Sequence, residues 1–474
     1  MRALRIRAWS IGVVGLVAVG VGERAHLLAG RWGAVDSDEA VVGLMARGFR
    51  HGHWRAFYWG QHYAGTQETA LVALAGASWA ALKLVPIVLC ALAAVLTWRV
   101  GRRIVEDRLA QAAGLLVWVA PGSGVWWSTK ERGFYWVTIV LGLVVVLAAL
   151  RIVERGGRPI DWVAFGAAAG CGFWASPAIL YFAVPATLWL VARRRLPPLR
   201  WAVLAPPAAL LGALPWIWHN VGRGLPSLER PPQPVHISYA TGIGRLLWRT
   251  LPVDLGLRWP LTERWVVPVV APMLLLALGA AVVVASARRP RPTVLLVALA
   301  IFPFIYSWFP GAWFVGEGRY ALFATPLAAL AVAWVVRRPA VVLGIAVVAS
   351  VVAVRSFEYV PVERPFHIGP DLAALRAAGV DHAWADYWVA YRLYFVSGGD
   401  IVASSSSASR ERSVLDAVQR DRTPAFVYPR HDPRRAQLEA LLRVPHRSIT
   451  TPSFDVVLAD GAVDVAALPP GVAP

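Results

Sequence analysis

Cysteine and charged residues are both scarce in this chain. Only two of its 474 residues are cysteine, and Cys90 and Cys171 both lie inside apolar segments, so a disulfide framework is not expected. Asp, Glu, Lys and Arg together make up 16% of the residues, whereas 57% are hydrophobic. A soluble protein of this length carries more charge and has shorter apolar runs. The composition therefore predicts a polytopic membrane protein.

Two further features are missing. No small-residue cleavage site follows the basic and apolar start over 1–21, which predicts an uncleaved first span instead of a signal peptide. No internal repeat is visible, although transporters usually show pseudo-repeats. Nucleic acid is excluded as a partner despite the net charge of +19. The arginines lie between apolar spans, where membrane lipids are the neighbours, and do not follow one soluble face.

Apolar segments of roughly spanning length recur along the chain. Every alternate loop between them is rich in arginine, which the positive-inside rule predicts for a cytoplasmic N-terminus and an extracytoplasmic C-terminus. The number of spans depends on a break near Ser176. One long broken segment there would reverse the orientation of every later span. The eleven predicted spans lie at about 8–24, 70–98, 109–127, 133–150, 160–175, 177–192, 201–219, 265–286, 293–309, 319–336 and 339–354.

The predicted fold is mainly α. A helical membrane bundle of about eleven spans occupies 1–354, with a first outer loop over 23–69 and a middle outer loop over 220–264. A small extracytoplasmic α/β domain follows over 355–474, because hydropathy drops there and helical and strand patterns alternate. Strands are predicted at 382–386, 400–403 and 425–428, helices at 371–378, 413–420 and 432–443, and a serine-rich loop at 404–408.

Acidic residues are concentrated after the first span. Asp36, Asp38 and Glu39 follow it directly, and Glu68 opens the second span. Carboxylates beside a bilayer are costly, because each must stay hydrated or find a partner. Asp36 and Glu39 also have capping-box spacing, which predicts an amphipathic helix over 40–50 in the membrane interface. Capping explains one or two of these acids but not all four, so a functional site is favoured.

A first span, an Asp–Glu pair, interfacial helices and many further spans resemble the GT-C class of membrane glycosyltransferases. The nearest branch is the glycosyltransferase 39 group, with protein O-mannosyltransferases and lipid A aminoarabinose transferases, in an actinobacterial-looking form. The His-Pro-Pro-Leu-like run common in that family is missing, and His62-Tyr-Ala-Gly stands in its place. This departure leaves the sugar and the acceptor open. The resemblance is carried by 38–40, 58–65 with Glu68, 128–135 and 318–320.

The resemblance implies an enzyme of the plasma (cell) membrane that moves a sugar from a polyprenyl-phosphate-linked donor to an extracytoplasmic glycan, lipid or protein. It also implies that Asp38 is the catalytic carboxylate. Sugar transfer with inversion needs a base for the acceptor proton, whereas a phosphate leaves without protonation. Asp38 is thus the predicted general base. Glu39 and Asp36 are expected to position the acceptor or tune Asp38 through like charge, and Glu68 to return to the same pocket.

The donor phosphate requires cations on the outer side. Lys130 and Arg132 lie in a predicted outer turn, against the positive-inside preference, and Arg319 begins the tenth span on the same side. Arginine suits phosphate through its bidentate geometry. A solvated turn with a local ion pair, or a snorkelling anchor at Arg319, is an equally weighted alternative. Sugar or acceptor contacts are predicted from Tyr58, Trp59, Gln61, His62, Tyr63 and Tyr320.

Other functions and ligands remain open. His51, His53 and His62 match no standard metal-site spacing, so no metal is predicted; a divalent cation is compatible with the site but not required. A polytopic lipid or sugar transporter or flippase is disfavoured, because the acids lie at the outer membrane edge. A catalytically silent scaffold is disfavoured by the intact acids. The aromatic run 384–388 is expected either to bind the acceptor or to pack onto the membrane part, and packing is favoured.

Overall fold

The computed structural model describes residues 2–119, 121–155, 157–192, 199–229, 235–262, 264–288, 293–359 and 367–474. It divides into two compact units. The first unit comprises Met1–Ala29, Tyr63–Glu68 and Lys83–Pro361; the second comprises Gly30–His62, Thr69–Leu82 and Val362–Pro474. Most of the first loop thus groups with the C-terminal residues, whereas the sequence predicted one boundary at 354. Parts of the predicted middle loop and of the start of the C-terminal domain lie outside the described residues.

The described residues are mainly helical, as predicted. In chain order the α-helices are α1 Arg2–Ala29, α2 Ser37–Arg50, α3 Gln67–Leu74, α4 Trp79–Gly101, α5 Asp107–Val119, α6 Gly124–Trp127, α7 Tyr135–Arg155, α8 Pro159–Ala175, α9 Leu180–Ala192, α10 Ala205–Gly212, α11 Leu214–Asn220, α12 Tyr239–Arg245, α13 Leu251–Asp254, α14 Val270–Ala287, α15 Val294–Trp308, α16 Thr325–Val336, α17 Pro339–Tyr359, α18 Gly369–Ala377, α19 Tyr387–Val396, α20 Arg412–Arg420 and α21 Arg434–Leu441. A π-helical turn, Leu246–Thr250, joins α12 to α13.

Membrane-spanning length is reached by fewer helices than the sequence predicted. In the described part of the chain, five helices are long and apolar enough to cross a bilayer, and a sixth if the pair bent by 57° over Arg200–Gly212 and Leu214–Asn220 is one span. The count of eleven is therefore not confirmed. The break near Ser176 is present, since α8 ends at Ala175 and Ser176 is extended. The five helices are Ala8–Ala29, Trp79–Gly101, Tyr135–Glu154, Val270–Ala287 and Pro339–Glu358.

Helix α5 packs against α1, α16 and α17 in the first unit. Arg24 of α1 is buried at this contact, which an isolated charge would disfavour. Its guanidinium donates to the carbonyls of Gly20 and Trp118 at 2.7 and 2.9 Å and lies 4.1 Å from the centre of the Trp118 ring. Carbonyl dipoles and the aromatic face therefore replace water around this charge.

The second unit contains the predicted α/β layer. Its five-stranded sheet has the order β2-β1-β3-β5-β4, with β1 parallel to β2 and β3 and with β5 antiparallel to β3 and β4. Successive side chains of β1 point to opposite faces, so Ala383 and Ala385 join one core and Trp384 the other. Trp384 thus packs in the core on one face of its own sheet. The strands are β1 His382–Ala385, β2 Val402–Ser404, β3 Ala425–Pro429, β4 His446–Thr450 and β5 Phe454–Ala459.

Helices α2 and α19 pack against each other in the second unit. The approach is close because Gly43 faces Phe395: a Cβ at Gly43 would lie 2.3 Å from Phe395 Cε2. The Arg47 guanidinium lies 4.2 Å from the centre of the same ring. The sequence predicted an interfacial helix over 40–50, but most residues of α2 are buried. Its apolar side is covered by protein.

Candidate functional site

The three acids of the first loop have different surroundings. Asp36 is the N-cap of α2, and its carboxylate accepts from the Glu39 N–H at 3.2 Å. Glu39 reciprocates by accepting from the Asp36 N–H at 3.3 Å. This is the predicted capping box, and both side chains are buried. Asp38 lies between them in the first turn and is only half-buried.

The Asp38 carboxylate is bound by residues that the sequence did not single out as site residues. The Tyr387 hydroxyl donates a hydrogen bond to Asp38 Oδ1, and Arg410 Nε donates to the same hydroxyl at 3.3 Å. Tyr58, a predicted contact residue, donates from its hydroxyl to the Asp38 backbone carbonyl at 2.8 Å. Side chains from the first loop and from the C-terminal sheet thus meet at Asp38.

The parallel strands explain why these residues meet. Tyr387 comes two residues after the end of β1, and Arg410 lies in the loop after β2. Arg434 follows β3 and binds Asp386 through a two-pronged contact of 3.0 and 2.6 Å. The carboxyl ends of parallel strands share one edge of a sheet, where α/β proteins usually bind their ligands. Asp386 and Tyr387 were in the aromatic run that the sequence flagged, for which packing was favoured, whereas neither Arg410 nor Arg434 was predicted as a site residue.

The predicted aromatic segment of the first loop is divided between the units. Tyr58 is buried, Trp59 is partly exposed and His62 is exposed. Gly60 has a φ of +68°, and a Cβ there would lie 3.0 Å from the Arg410 carbonyl oxygen. This turn therefore needs glycine to pass the Arg410 backbone. Gln61 closes the turn through its N–H to the Tyr58 carbonyl, whereas Tyr63 belongs to the first unit.

The predicted cationic turn before α7 is buried within the first unit. Lys130 is 5% exposed, Glu131 is 0% exposed and Arg132 is 8% exposed. A solvated turn, the bland alternative for these residues, does not fit this burial. Buried charges require partners or a ligand, and the surrounding polar groups therefore decide what this turn can bind.

Arg132 and Arg319 lie in the same cluster, although 187 positions separate them in the sequence. The Arg132 guanidinium lies 5.4 Å from the centre of the Trp127 ring, and Trp127 Nε1 donates to the Glu317 carbonyl at 3.0 Å. Arg319 lies 4.5 Å from the Phe314 ring centre, and its Nε is 3.9 Å from a Glu317 carboxylate oxygen. Arg132 and Arg319 are close enough to interact electrostatically.

Tyr320 belongs to the same cluster, where its ring centre lies 5.0 Å from the Arg319 guanidinium. The preceding Gly318 has a φ of +72°, and a Cβ there would lie 2.7 Å from Ser123 Oγ and 3.0 Å from Asp254 Oδ1. Glycine is therefore required for the backbone to pass these two side chains. The Gly-Arg-Tyr run thereby carries its arginine and tyrosine into the cluster.

Glu68 lies with a second buried carboxyl. Its Oε1 accepts from the Val137 N–H at 2.7 Å, and its carboxyl is hydrogen-bonded to that of Glu131. Burial raises the pKa of Glu68. Two carboxylates cannot hydrogen-bond to each other without a proton, so the pair holds one. Glu68 and Glu131 thus belong to the first unit, whereas Asp38 belongs to the second.

In the part of the chain that the structure describes, no group of three or more His, Cys, Asp or Glu side chains could hold a metal ion. The carboxylates of the described residues can transfer protons, and the Lys and Arg side chains can bind anions.

Comparisons with known proteins found similarity in sequence and in fold. Residues 68–219 match the family model described as dolichyl-phosphate-mannose-protein mannosyltransferase. The undecaprenyl phosphate-alpha-4-amino-4-deoxy-L-arabinose arabinosyl transferase of Pseudomonas aeruginosa is 30% identical over 146 residues, which cover 28% of this chain and 26% of that protein. The fold is similar to the crystal structure of ArnT from Cupriavidus metallidurans in the apo state. That likeness has a TM-score of 0.61 at 13% identity and covers 94% of this chain and 98% of ArnT.

Proposed function

We propose that this chain is a membrane glycosyltransferase of the GT-C class that moves a sugar from a polyprenyl-phosphate-linked donor to an extracytoplasmic acceptor, as its similarity to such enzymes supports. The family match and the named substrate of the Pseudomonas relative support the donor class. The observation that carries the proposal is the cationic cluster formed by Arg132 and Arg319, which lie on aromatic rings and are close enough to interact electrostatically. Two guanidinium groups held on aromatic rings offer N–H donors in the fork geometry that suits phosphate.

The cationic cluster is assigned to the donor phosphate. Arg132 and Arg319 each rest on aromatic rings, which orient a guanidinium without consuming its donors. As the glycosidic bond breaks, negative charge grows on the departing phosphate, and fixed donors in a buried site stabilise that charge more than water does. Lys130 adds a third positive charge close in sequence. No protonation of the leaving group is then needed.

Asp38 is assigned the acceptor proton, which it takes as the acceptor hydroxyl attacks the sugar and the phosphate leaves. A carboxylate near a hydroxyl that attacks the sugar acts as general base in such transfers. Asp36 and Glu39 are engaged in the capping box, which supports Asp38 over its neighbours for this role. The acceptor itself, whether glycan, lipid or protein, is left open by the proposal.

The base is tested by Asp38→Asn in the full-length chain, reconstituted in proteoliposomes with undecaprenyl-phosphate-linked hexoses and pentoses as donors and a cell-envelope extract as the source of acceptor. Release of undecaprenyl phosphate should fall by roughly 10²–10⁴-fold, with little change in protein abundance. Asp400→Asn is the matched control, because that carboxylate is 63% exposed and pairs with Arg376 in the same unit. If Asp38→Asn keeps near-native turnover and Asp36→Asn abolishes it, the base lies two residues earlier. If neither change matters, the enzyme assignment is wrong.

The phosphate assignment is tested by replacing Arg132 or Arg319 with Lys and with Gln. Lysine keeps the charge but loses the bidentate fork, so donor affinity and turnover should fall. Glutamine should cost more, because the developing phosphate charge then lacks its partner. Arg223→Lys, at an exposed loop position, is the control. A snorkelling arginine would tolerate lysine. Silent lysine variants at both sites, with a silent Lys130→Gln, would mean that the phosphate is held elsewhere.

A further inference from the structure

The C-terminal sheet supplies a tyrosine and an arginine to the carboxylate that the proposed function uses as its base. We propose that Tyr387 and Arg410 are positioning residues for Asp38: Tyr387 holds the carboxylate by a hydrogen bond, and Arg410 holds Tyr387. The inference rests on the proposed function, because positioning has a kinetic consequence only if Asp38 accepts the proton. It assigns the C-terminal part of the chain a role in the reaction itself.

The direction of these hydrogen bonds follows from the groups involved. A guanidinium has only donors and a carboxylate has only acceptors. The Tyr387 hydroxyl must therefore accept from Arg410 Nε and donate its own proton to Asp38 Oδ1. Burial, followed by the nearby Asp38 charge, raises the pKa of Tyr387. The hydroxyl thus remains a proton donor across the physiological pH range.

Asp38 is held at two points. The Tyr58 hydroxyl binds its backbone carbonyl at 2.8 Å, and the Tyr387 hydroxyl binds its side chain. A carboxylate on the first turn of a helix can otherwise rotate about its side-chain bonds. Because a general base must lie within hydrogen-bond reach of the proton that it takes, restricting this rotation increases the fraction of molecules that are ready to react.

Tyr387 and Arg410 are themselves fixed in place. Arg434 binds Asp386 by a fork of 3.0 and 2.6 Å, which anchors the residue immediately before Tyr387. The Arg410 N–H donates to the Tyr391 hydroxyl on the next turn of α19. Such supporting contacts are what a positioned catalytic group requires.

The competing explanation is that this network only stabilises the fold. A change at Tyr387 that keeps its ring can distinguish that structural role from the positioning role. The ring centre of Tyr387 lies 5.1 Å from that of Trp388 and 5.8 Å from that of Tyr391. Replacing Tyr387 by Phe keeps these ring contacts and removes only the hydroxyl. The packing of α19 on α2 at Gly43 and Phe395 is also unaffected by this change.

The experiment compares Tyr387→Phe with Tyr394→Phe, a tyrosine of the same helix, in the full-length reconstituted enzyme with undecaprenyl-phosphate-linked sugars as donors. We expect kcat of Tyr387→Phe to fall roughly 10- to 100-fold, the range for one hydrogen bond to a charged group. Donor KM and the unfolding temperature should stay near those of Tyr394→Phe. Unchanged kcat, or a fall in kcat matched by a loss of folded protein, would overturn the proposal.

Two further variants complete the test. Since Tyr387 acts through Asp38, the double variant Asp38→Asn with Tyr387→Phe should be no slower than Asp38→Asn alone; an additive loss would overturn the proposal. Arg410→Gln should also lower kcat. This variant tests the proposal if Tyr387→Phe fails to fold. Full activity of Asp38→Asn would instead refute the proposed base. Inactive Asp38→Asn with active Tyr387→Phe and Arg410→Gln would refute the positioning role alone.

Discussion

Gly43 of α2 offers the sharpest test of how the C-terminal residues are coupled to Asp38. Carbon atoms in contact normally lie about 3.5–4.0 Å apart, but the Cβ of Ala at Gly43 would lie 2.3 Å from Phe395 Cε2. The ring or its helix must then move by roughly 1.2–1.7 Å to restore a normal contact. Phe395 is 3% exposed, and the Arg47 guanidinium lies over its ring at 4.2 Å. Helix α19 is therefore expected to move.

Gly48 provides a matched control on the same helix, because the nearest atom to its added Cβ would be 3.7 Å away. Alanine in place of a helical glycine stabilises by roughly 0.5–1 kcal/mol, and this gain applies equally to Gly43→Ala and Gly48→Ala. The difference in stability between the two variants therefore measures the clash with Phe395. Overpacking of a buried site costs about 1–3 kcal/mol. Gly43→Ala should be less stable than Gly48→Ala by that amount.

The measurement is thermal unfolding of the full-length chain in detergent, together with hydrogen exchange of α19 and donor turnover. A shift of more than about 1 Å takes a hydroxyl out of hydrogen-bonding distance, so Gly43→Ala should also lose the turnover that depends on Tyr387. Gly48→Ala should retain it. Equal stability and equal exchange of α19 in the two variants would refute the packing argument.

Three further predictions concern the carboxyl pair, the Gly-Arg-Tyr run and the topology. Glu131→Gln keeps a donor for Glu68 and should fold normally, whereas Glu131→Leu should cost roughly 1–3 kcal/mol in thermal unfolding. Burial raises the pKa of Glu68 above 4.5. The stability that the protonated Glu68 contributes is therefore present below pH 4.5 and is lost as the pH rises through the pKa of Glu68 in the folded protein. An unfolding temperature that rises with pH over this range would contradict the shared proton. Gly318→Ala should weaken donor binding, whereas Gly316→Ala, whose added Cβ has its nearest atom at 3.7 Å, should bind donor normally. A cysteine at the exposed Ser406 should react with an impermeant maleimide in intact cells, and labelling only after lysis would reverse the predicted orientation.

Local pattern determined several elements of this protein. The capping box at Asp36 and Glu39 is a contact between residues three apart, and it is present. The three predicted strands and the three predicted helices of the C-terminal part lie within a few residues of observed elements, because alternation of side chains along a strand and helical periodicity are local properties. The long apolar segments likewise predicted membrane helices. Because some helices are broken or short, the number of spans depends on the tertiary structure.

Other elements escaped the local signals. Helix α19 is rich in aromatic and β-branched residues, which favour strands, and its packing against α2 accounts for its helical form. Strand β4 is mostly exposed and polar, so no apolar alternation marks it. It exists because β5 offers an edge to pair with. Burial of the 130–132 turn was also invisible in a short charged sequence.

The sequence by itself determined the membrane class, the acidic first turn of α2 and the α/β character of the C-terminal residues. Only the tertiary structure decided which side chains meet. Tyr387 lies 349 positions from Asp38, and Arg319 lies far along the chain from Arg132, yet each pair belongs to one cluster. Residue type and spacing encode local geometry, because the backbone links near neighbours directly. Contacts between distant residues depend on how strands pair and helices pack, and no short pattern records that choice.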